Sequence, residues 1–363
     1  MVTREQVIEA LKGVKDPELG RSLVDLGMIR DLFIDQGRVK VVVALTIAGC
    51  PLKSQIREDV RAAVASLEGV ESVEVELTAM TPEEREKIFG RRSQEEEARG
   101  IKDVRHIIAV ASGKGGVGKT TVAVNLAVAL AQKGLKAGIL DADIHGPDVH
   151  ILMGLEGERP FTREGMLIPP ERYGVKVVSM GLLAPEGQPI VWRGPLIMKA
   201  LKEFAAHVEW GVLDFLLVDL PPGTGDAPLT VAQSFPLRGA IIVTTPQKVA
   251  LSDVARCVGM FEDLKVPTIG LIENMSFLRL IRPDGSEEKV DIFGEGGGEK
   301  MAQQLRVPFL GKIPLEPQVR EGGDRGKPAA LDPTSNVGAI FAQIAEKVRA
   351  RAVELERLKA CSP

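Results

Sequence analysis

The chain has 363 residues, of which 44% are hydrophobic and 26% charged, and this length and composition predict a soluble protein with two globular domains. Its formal net charge of -4 argues against general binding of nucleic acids or anionic membranes, because proteins that bind such polyanions commonly carry an excess of basic side chains. No apolar run approaches the ~20 residues that span a bilayer, the first residues lack the apolar core of a signal peptide, and the three cysteines lie far apart, so we expect a cytoplasmic location.

The first 80 residues predict a small α+β domain. Apolar residues recur at helical spacing in TREQVIEALKGV, with Thr3 as the candidate N-cap, and the strand-like stretches MIRDLFID and RVKVVVALT flank a tight turn at Gly37. A second helical pattern, PLKSQIREDVRAAVASL, precedes the alternating stretch VESVEVEL. The predicted order is therefore helix, strand, strand, helix, strand. The mostly charged residues 81–103 then indicate a linker or a solvated helix, of which we favour the linker.

Residues 104–350 predict a doubly wound α/β domain, in which helical segments separate apolar runs. The runs are HIIAVAS, AGILDAD, VKVVSM, FLLVDL, AIIVTT, TIGLIEN and PFLGKIP. Near-continuous Val, Ile and Leu are expected of strands that are buried on both faces of a mostly parallel sheet. Residues 351–363 are predicted to form a tail.

The stretch ASGKGGVGKTT, residues 111–121, contains the phosphate-loop pattern GxxxxGK(S/T) between a predicted strand and a predicted helix. Backbone N–H groups of such a loop, together with the helix dipole, attract phosphate oxygens. Lys119 would neutralise the β- and γ-phosphates, and Thr120 would ligate Mg²⁺. The predicted nucleotide-binding residues of the loop are Gly113, Lys114, Gly115, Gly116, Val117, Gly118, Lys119, Thr120 and Thr121.

Two further stretches place aspartates at the carboxyl ends of predicted strands, where open α/β sheets bind their ligands. In FLLVDLPPGTGD, Asp219 can hold a Mg²⁺-bound water, and the N–H of Gly223 can sense the γ-phosphate. In LDADIHGPD, Asp141 and Asp143 would face the phosphates. The second stretch is also compatible with a metal site, although loops rich in Asp and His are commonly only polar. The candidate ligands of that site are Asp141, Asp143, His145, Asp148 and His150.

KGGVGKTT resembles the deviant Walker A motif of the family that includes Mrp/ApbC proteins, the nitrogenase iron protein, MinD and ParA. The resemblance implies a homodimeric ATPase with ATP and Mg²⁺ as cofactors, in which Lys114 reaches the nucleotide of the partner subunit like an arginine finger. It further implies that Asp143 orients the attacking water and that Asp141 is either structural or close to Mg²⁺. By the same resemblance, Asn274 in IENMS contacts the adenine edge. A solvated loop lysine and a capping asparagine are the alternatives for Lys114 and Asn274.

Longer stretches resemble the Mrp/ApbC iron–sulfur cluster carriers. They are WRGPLIMKAL, DLPPGTGDAPLT, TTPQKVALSDVARCVGMF, FGEGGGEKMA and GKIPLEPQVREGGDRGKP, and DPELGRSLVDLGMI with LTIAGCPLKSQI resembles the assembly domain that precedes the ATPase in bacterial members. The resemblance implies transfer of clusters to apoproteins. The alternatives are a MinD/ParA-type switch that acts on a membrane or DNA and an assembly scaffold without a cluster. The mixed charge of the C-terminal stretch argues against a membrane anchor.

The usual cluster ligands of these carriers are missing from their expected place. Carriers show a Cys-x-x-Cys pair shortly after ENMS, and here Leu280 and Pro283 occupy those positions. Cys50 precedes a predicted helix, and it is compatible with an iron ligand or with a small buried residue. Cys257 is predicted to lie in the core, and Cys361 in the polar tail. The sequence therefore supports nucleotide chemistry more strongly than cluster binding.

Overall fold

The computed structural model describes residues 2–15, 21–35, 37–45, 53–81, 99–144, 146–163, 165–183, 194–282, 284 and 286–360. The chain divides into two compact units, Met1–Ser93 and Gln94–Pro363. Most of the predicted linker lies outside the described residues, so the linker stays a prediction.

The N-terminal unit has the predicted order of elements. They are α1 (Arg4–Lys12), β1 (Ile29–Asp35), β2 (Arg38–Leu45), α2 (Lys53–Ala65) and β3 (Ser72–Ala79). β2 pairs antiparallel with β1 and parallel with β3. Thr3 is the N-cap of α1, as predicted: its hydroxyl accepts from the Gln6 N–H, and the Gln6 side chain accepts from the Thr3 N–H. Gly37 has a φ of 84° between β1 and β2, a conformation that glycine adopts readily.

The C-terminal unit is built on a mostly parallel sheet. Its strands are β4 (Val104–Ala111), β5 (Ala137–Asp141), β8 (Glu171–Arg172), β9 (Val175–Val178), β10 (Leu213–Asp219), β11 (Gly239–Thr244), β12 (Thr268–Glu273) and β15 (Phe309–Lys312). Within the described residues their order is β15-β12-β11-β4-β10-β5-β9-β8, and only β8 runs antiparallel to its neighbour. The parallel strands coincide with the predicted apolar runs, which confirms the predicted fold class.

Helices cover both faces of this sheet. They are α3 (Lys119–Gln132), α4 (Val149–Leu152), α5 (Met180–Leu183), α6 (Gly194–His207), α7 (Asp226–Ser234), α8 (Lys248–Asp263), α9 (Gly297–Leu305), α10 (Pro317–Asp324) and α11 (Asn336–Ala360), with short 3₁₀ helices at Arg99–Ile101 and Ala329–Leu331. Along β4, Ile108 and Val110 pack with α3 and α11, whereas Ile107 and Ala109 pack with α6 and α8. Because successive side chains enter opposite layers, the buried part of the strand, Ile107–Ala111, is apolar at every position.

Two small hairpins lie outside the main sheet. They are β6 (Phe161–Arg163) with β7 (Met166–Ile168), and β13 (Leu278–Ile281) with β14 (Glu287–Val290). Near the end of the chain, α11 continues past residue 350 to Ala360, although a tail was predicted from residue 351. Ala352 is buried in the core, and Glu356 pairs with Arg105 of β4 over 2.7 Å. Residues 351–360 therefore belong to the C-terminal unit. None of the helices among the described residues is long and apolar enough to cross a membrane.

Candidate functional site

The glycine-rich loop joins β4 to α3 at the carboxyl edge of the sheet. Gly116 and Gly118 have φ angles of 80° and 78°, which are costly for residues with a side chain. A Cβ atom on Gly118 would overlap the Asn274 amide, and one on Gly113 would lie 2.6 Å from the Cβ of Asp253. The loop therefore needs glycine both for its turns and for its close packing against α8 and against Asn274, the residue that follows β12.

The first residues of α3 contact the last residue of β10. The Lys119 ammonium lies 2.6 Å from Oδ1 of Asp219, and the Thr120 hydroxyl donates to Oδ2 of Asp219 over 2.7 Å. Burial raises the pKa of the Asp219 carboxyl, and the adjacent Lys119 charge opposes this shift. The structure thus brings together three residues that the sequence predicted from motifs about 100 positions apart.

The loop borders a cavity of about 360 Å³. Lys114 and Asp143 line this cavity together with Lys119 and Thr120. Among the described residues, the Lys114 ammonium forms no ion pair, and the Lys114 carbonyl accepts a hydrogen bond from the Ser112 hydroxyl over 2.9 Å. Asp148, a candidate ligand of the alternative metal site, also lines the cavity, and the wall residues that the sequence analysis did not assign are Ser112, Gly146, Ile151, Leu152 and Pro222. Ser112, Gly146 and Pro222 lay inside motifs that had been singled out, whereas Ile151 and Leu152 carried no such signal.

Asp141 is the last residue of β5 and precedes Asp143 by two positions. Its Oδ1 accepts the N–H of Asp143 over 3.2 Å, and its Oδ2 accepts the N–H of Val149 and the hydroxyl of Ser179 over 3.1 and 3.0 Å. Burial, together with the nearby Asp219 carboxylate, raises the pKa of Asp141 to about 7. Both oxygens are thus engaged by the protein, which favours the structural alternative for Asp141 over direct binding of Mg²⁺.

Gly223, the predicted γ-phosphate sensor, has a φ of 95° in the turn after β10. Its N–H donates to the Ser112 carbonyl over 3.0 Å. This hydrogen bond ties the turn to the glycine-rich loop. A phosphate oxygen would have to replace the Ser112 carbonyl before it could accept the Gly223 N–H.

A second cavity of about 230 Å³ adjoins the first, since Gly118, Thr121 and Leu152 line both. Its other walls come from the segments after β12 and β15 and from α10 and α11. Its apolar members are Met275, Ile313, Pro314, Leu315, Val319 and Phe341. Asn274 lies at the junction, where its Nδ2 donates to the Val117 carbonyl over 2.9 Å. Asn274 therefore connects β12 to the glycine-rich loop.

The alternative metal site in the loop after β5 gains no support. Among the described residues, no group of three or more His, Cys, Asp and Glu side chains is placed to hold a metal ion. His150 instead lies with its Nδ1 3.4 Å from the Ser179 hydroxyl. His145 lies outside the described residues.

The predicted positions of the cluster ligands are only partly described. Leu280 lies on β13 with 42% of its surface exposed, and a leucine side chain has no atom that ligates iron. Cys257 is fully buried on α8, as predicted, and burial raises the pKa of its thiol to about 12. The remaining candidates, Cys50, Pro283 and Cys361, lie outside the described residues.

Comparisons with known proteins find matches to both units of the chain. Residues 103–349 match the family model of the NUBPL iron-transfer P-loop NTPase, and residues 4–77 match that of the iron-sulfur cluster assembly protein. An iron-sulfur cluster carrier protein of Synechocystis sp. is 47% identical over 357 residues, which cover 96% of this chain and 98% of that protein.

Solved structures show the same fold for the C-terminal unit. A nucleotide-binding protein of Archaeoglobus fulgidus in complex with ADP is 38% identical, with a TM-score of 0.58, and the match covers 67% of this chain and 95% of that one. The septum site-determining protein MinD of Pyrococcus horikoshii, complexed with Mg-ADP, is 26% identical, with a TM-score of 0.50 and coverages of 68% and 96%. The family model and the near-full-length similarity to a carrier show that this chain belongs to the NUBPL iron-transfer P-loop NTPase family.

Proposed function

We propose that the chain binds and hydrolyses Mg²⁺-ATP. The observation that carries this proposal is the contact of Lys119 and Thr120 with Asp219 beneath a glycine-rich loop that opens onto the larger cavity. The Thr120 hydroxyl and the Asp219 carboxylate supply oxygen atoms of the kind that Mg²⁺ prefers, and Lys119 supplies positive charge for the β- and γ-phosphates. Bound Mg²⁺ would neutralise charge on the phosphates during their transfer.

The two adjoining cavities suit the two halves of a nucleotide. The larger one is lined by backbone N–H groups at the start of α3, which favour phosphate oxygens. The smaller one has mainly apolar walls and would take the nucleoside, with Asn274 at the adenine edge. The ADP-bound relative from Archaeoglobus fulgidus supports a nucleotide in this fold.

Asp143 is the residue that we propose for hydrolysis. It lines the phosphate cavity, and its N–H is fixed by the buried carboxylate of Asp141. From this wall its carboxylate would orient a water for attack on the γ-phosphorus, which breaks the bond to the bridging oxygen and releases ADP and phosphate. We further propose a homodimer in which the Lys114 ammonium, which forms no ion pair within the described part of the chain, stabilises charge on the partner's nucleotide.

The family model describes an iron-transfer P-loop NTPase, and the relative from Synechocystis sp. is named as an iron-sulfur cluster carrier protein. We propose that ATP turnover gates the transfer of a cluster to apoproteins. Because Leu280 cannot ligate iron, any cluster on this chain is held elsewhere than at β13. Cys50 in the N-terminal unit is the candidate ligand.

Titration of wild-type protein and Lys119→Ala with a fluorescent ATP analogue tests nucleotide binding. We expect the variant to lose at least tenfold in affinity, because Lys119 is the charge that the loop places against the phosphates. Lys136→Ala, which changes a lysine on the surface outside both cavities, is the control and should bind like the wild type. Equal affinity of the wild type and Lys119→Ala would show that the loop is not the nucleotide site.

A further inference from the structure

The loop that carries Asp143 is attached to one buried carboxylate near both of its ends. Asp141 accepts the N–H of Asp143 with one oxygen and the N–H of Val149 with the other, over 3.2 and 3.1 Å. Asp143 follows the end of β5, and Val149 begins α4. The orientation of the Asp141 carboxylate therefore fixes the backbone at Asp143 and at Val149.

Ser179, which directly follows β9, sets that orientation. Its side chain is fully buried, and its hydroxyl donates to Oδ2 of Asp141 over 3.0 Å. A hydroxyl has one hydrogen and two lone pairs. The lone pairs face the N–H of Gly181 at 3.3 Å and Nδ1 of His150 at 3.4 Å. With the imidazole proton on Nδ1, every hydrogen-bonding group of the hydroxyl is satisfied.

His150 and Gly181 are the other two partners of the Ser179 hydroxyl. A Cβ atom at position 181 would overlap the His150 ring, so the imidazole fits only over a glycine. His150 follows Val149 on α4, and the same helix turn thus contacts Asp141 through its backbone and Ser179 through a side chain. The hydroxyl therefore joins the end of β9 to both the carboxylate and α4.

We propose that Ser179 is a positioning residue for ATP hydrolysis, which acts through Asp141 to fix Asp143 at the phosphate cavity. This inference rests on the proposed ATPase function. Removal of the hydroxyl would leave Oδ2 of Asp141 with one donor fewer in a buried place, and the loop would loosen. A displacement of a catalytic group by about 1 Å can cost up to 100-fold in rate.

The test compares wild type with Ser179→Ala by hydrogen–deuterium exchange and by kinetics. We expect the amides of Asp143 and Val149 to exchange roughly tenfold faster in the variant. We also expect kcat to fall about tenfold while the affinity for a fluorescent ATP analogue stays within about twofold. Ser234→Ala on α7, which removes a hydroxyl that donates to the Thr230 carbonyl, is the control and should change neither quantity.

A second comparison separates positioning from general damage to the fold. In the Asp143→Ala background, Ser179→Ala should cause no further loss of the residual rate, because the residue through which it acts is already gone. Ser179→Thr keeps the hydroxyl, and Ser179→Val has the shape of the threonine variant without a hydroxyl. The amides of Asp143 and Val149 should therefore exchange slowly in the threonine variant and faster in the valine variant.

Unchanged exchange at both amides, or an equal further loss of rate in the Asp143→Ala background, would overturn the inference. An equal effect of threonine and valine would do the same. A wild-type protein that binds the analogue but does not hydrolyse ATP would refute the proposed hydrolysis, whereas the exchange measurements would still decide whether Ser179 holds the loop.

Discussion

Lys119 and Asp219 are buried as an ion pair, with side-chain exposures of 6% and 0%. Moving both charges out of water is costly, and their mutual attraction offsets this cost only while both partners are present. Thr120 occupies the second carboxylate oxygen, so the charge of Asp219 is also satisfied by a hydrogen bond. The site is therefore held together by the same groups that would bind phosphate and Mg²⁺.

We predict that Asp219→Asn lowers the free energy of unfolding by about 3 kcal/mol, because it leaves the Lys119 ammonium buried without a counter-charge. Adding Lys119→Met should restore part of this loss. Urea unfolding followed by tryptophan fluorescence measures it, since both tryptophans lie in the C-terminal unit. Glu209→Gln, which breaks the exposed pair with Arg163, should change stability by less than about 1 kcal/mol. An Asp219→Asn variant as stable as wild type would contradict the prediction.

The β13–β14 hairpin contacts a buried charge of the C-terminal unit. Nε of Arg279 on β13 lies 3.0 Å from Oε1 of Glu316, which is 7% exposed and also accepts from Nδ2 of Asn336 over 2.8 Å. Arg279 pairs with Glu287 across the hairpin as well. Since Glu316 lines the smaller cavity, the hairpin is joined to the proposed nucleoside pocket.

We predict that Arg279→Met destabilises the C-terminal unit by about 2 kcal/mol, because the buried Glu316 carboxylate loses its charged partner. Arg282→Met is the control on the same hairpin. Its pair with Glu288 is exposed and should contribute less than about 1 kcal/mol. Urea unfolding of both variants measures the difference, and adding Glu316→Gln to Arg279→Met should recover part of the loss. Equal stabilities of the two single variants would show that Glu316 does not need Arg279.

At the scale of the whole molecule, Lys114 and Asp143 of one subunit act at different nucleotide sites of the proposed dimer. Asp143 serves its own subunit's site, and Lys114 serves the partner's site. We predict that Lys114→Ala and Asp143→Ala are each inactive, yet that a mixture regains about a quarter of wild-type ATPase activity, because half of the dimers are mixed and each contains one intact site. Steady-state hydrolysis after subunit exchange measures this. If Lys114 served the nucleotide of its own subunit, every site of the mixture would carry one defect and no activity would return.

The second whole-molecule prediction concerns cluster binding. A cubane cluster shared by a symmetric dimer needs two ligands from each subunit, and Leu280 and Pro283 supply none. We therefore expect anaerobic reconstitution to give well under one stable cluster per dimer while ATP hydrolysis persists, with the residual iron lost in Cys50→Ser. Iron and sulfide analysis with the absorption spectrum measures this. A stoichiometric cluster that survives Cys50→Ser would contradict the prediction and indicate other ligands.

The sequence alone determined the features that depend on neighbours along the chain. The glycine-rich loop was predictable because the phosphate-loop pattern requires Gly113, Gly118 and Lys119 at fixed spacing between a strand and a helix. The parallel strands were predictable because burial on both faces demands uninterrupted apolar runs. The cap at Thr3 followed from the adjacent helical pattern. The short strands of the hairpins and of β8 were missed, since a few residues carry too little periodicity.

Only the tertiary structure decided which distant residues meet. Strand order places the ends of β4, β5 and β10 side by side, and this brings Asp219 to Lys119 and leaves Asp141 beside Asp219. The contact of Ser179 with Asp141 depends on the pairing of β9 with β5, and the smaller cavity depends on where α10 and α11 pack. A residue's pattern along the chain reports its own burial and local conformation, whereas contacts across a sheet are set by how its strands are ordered and connected.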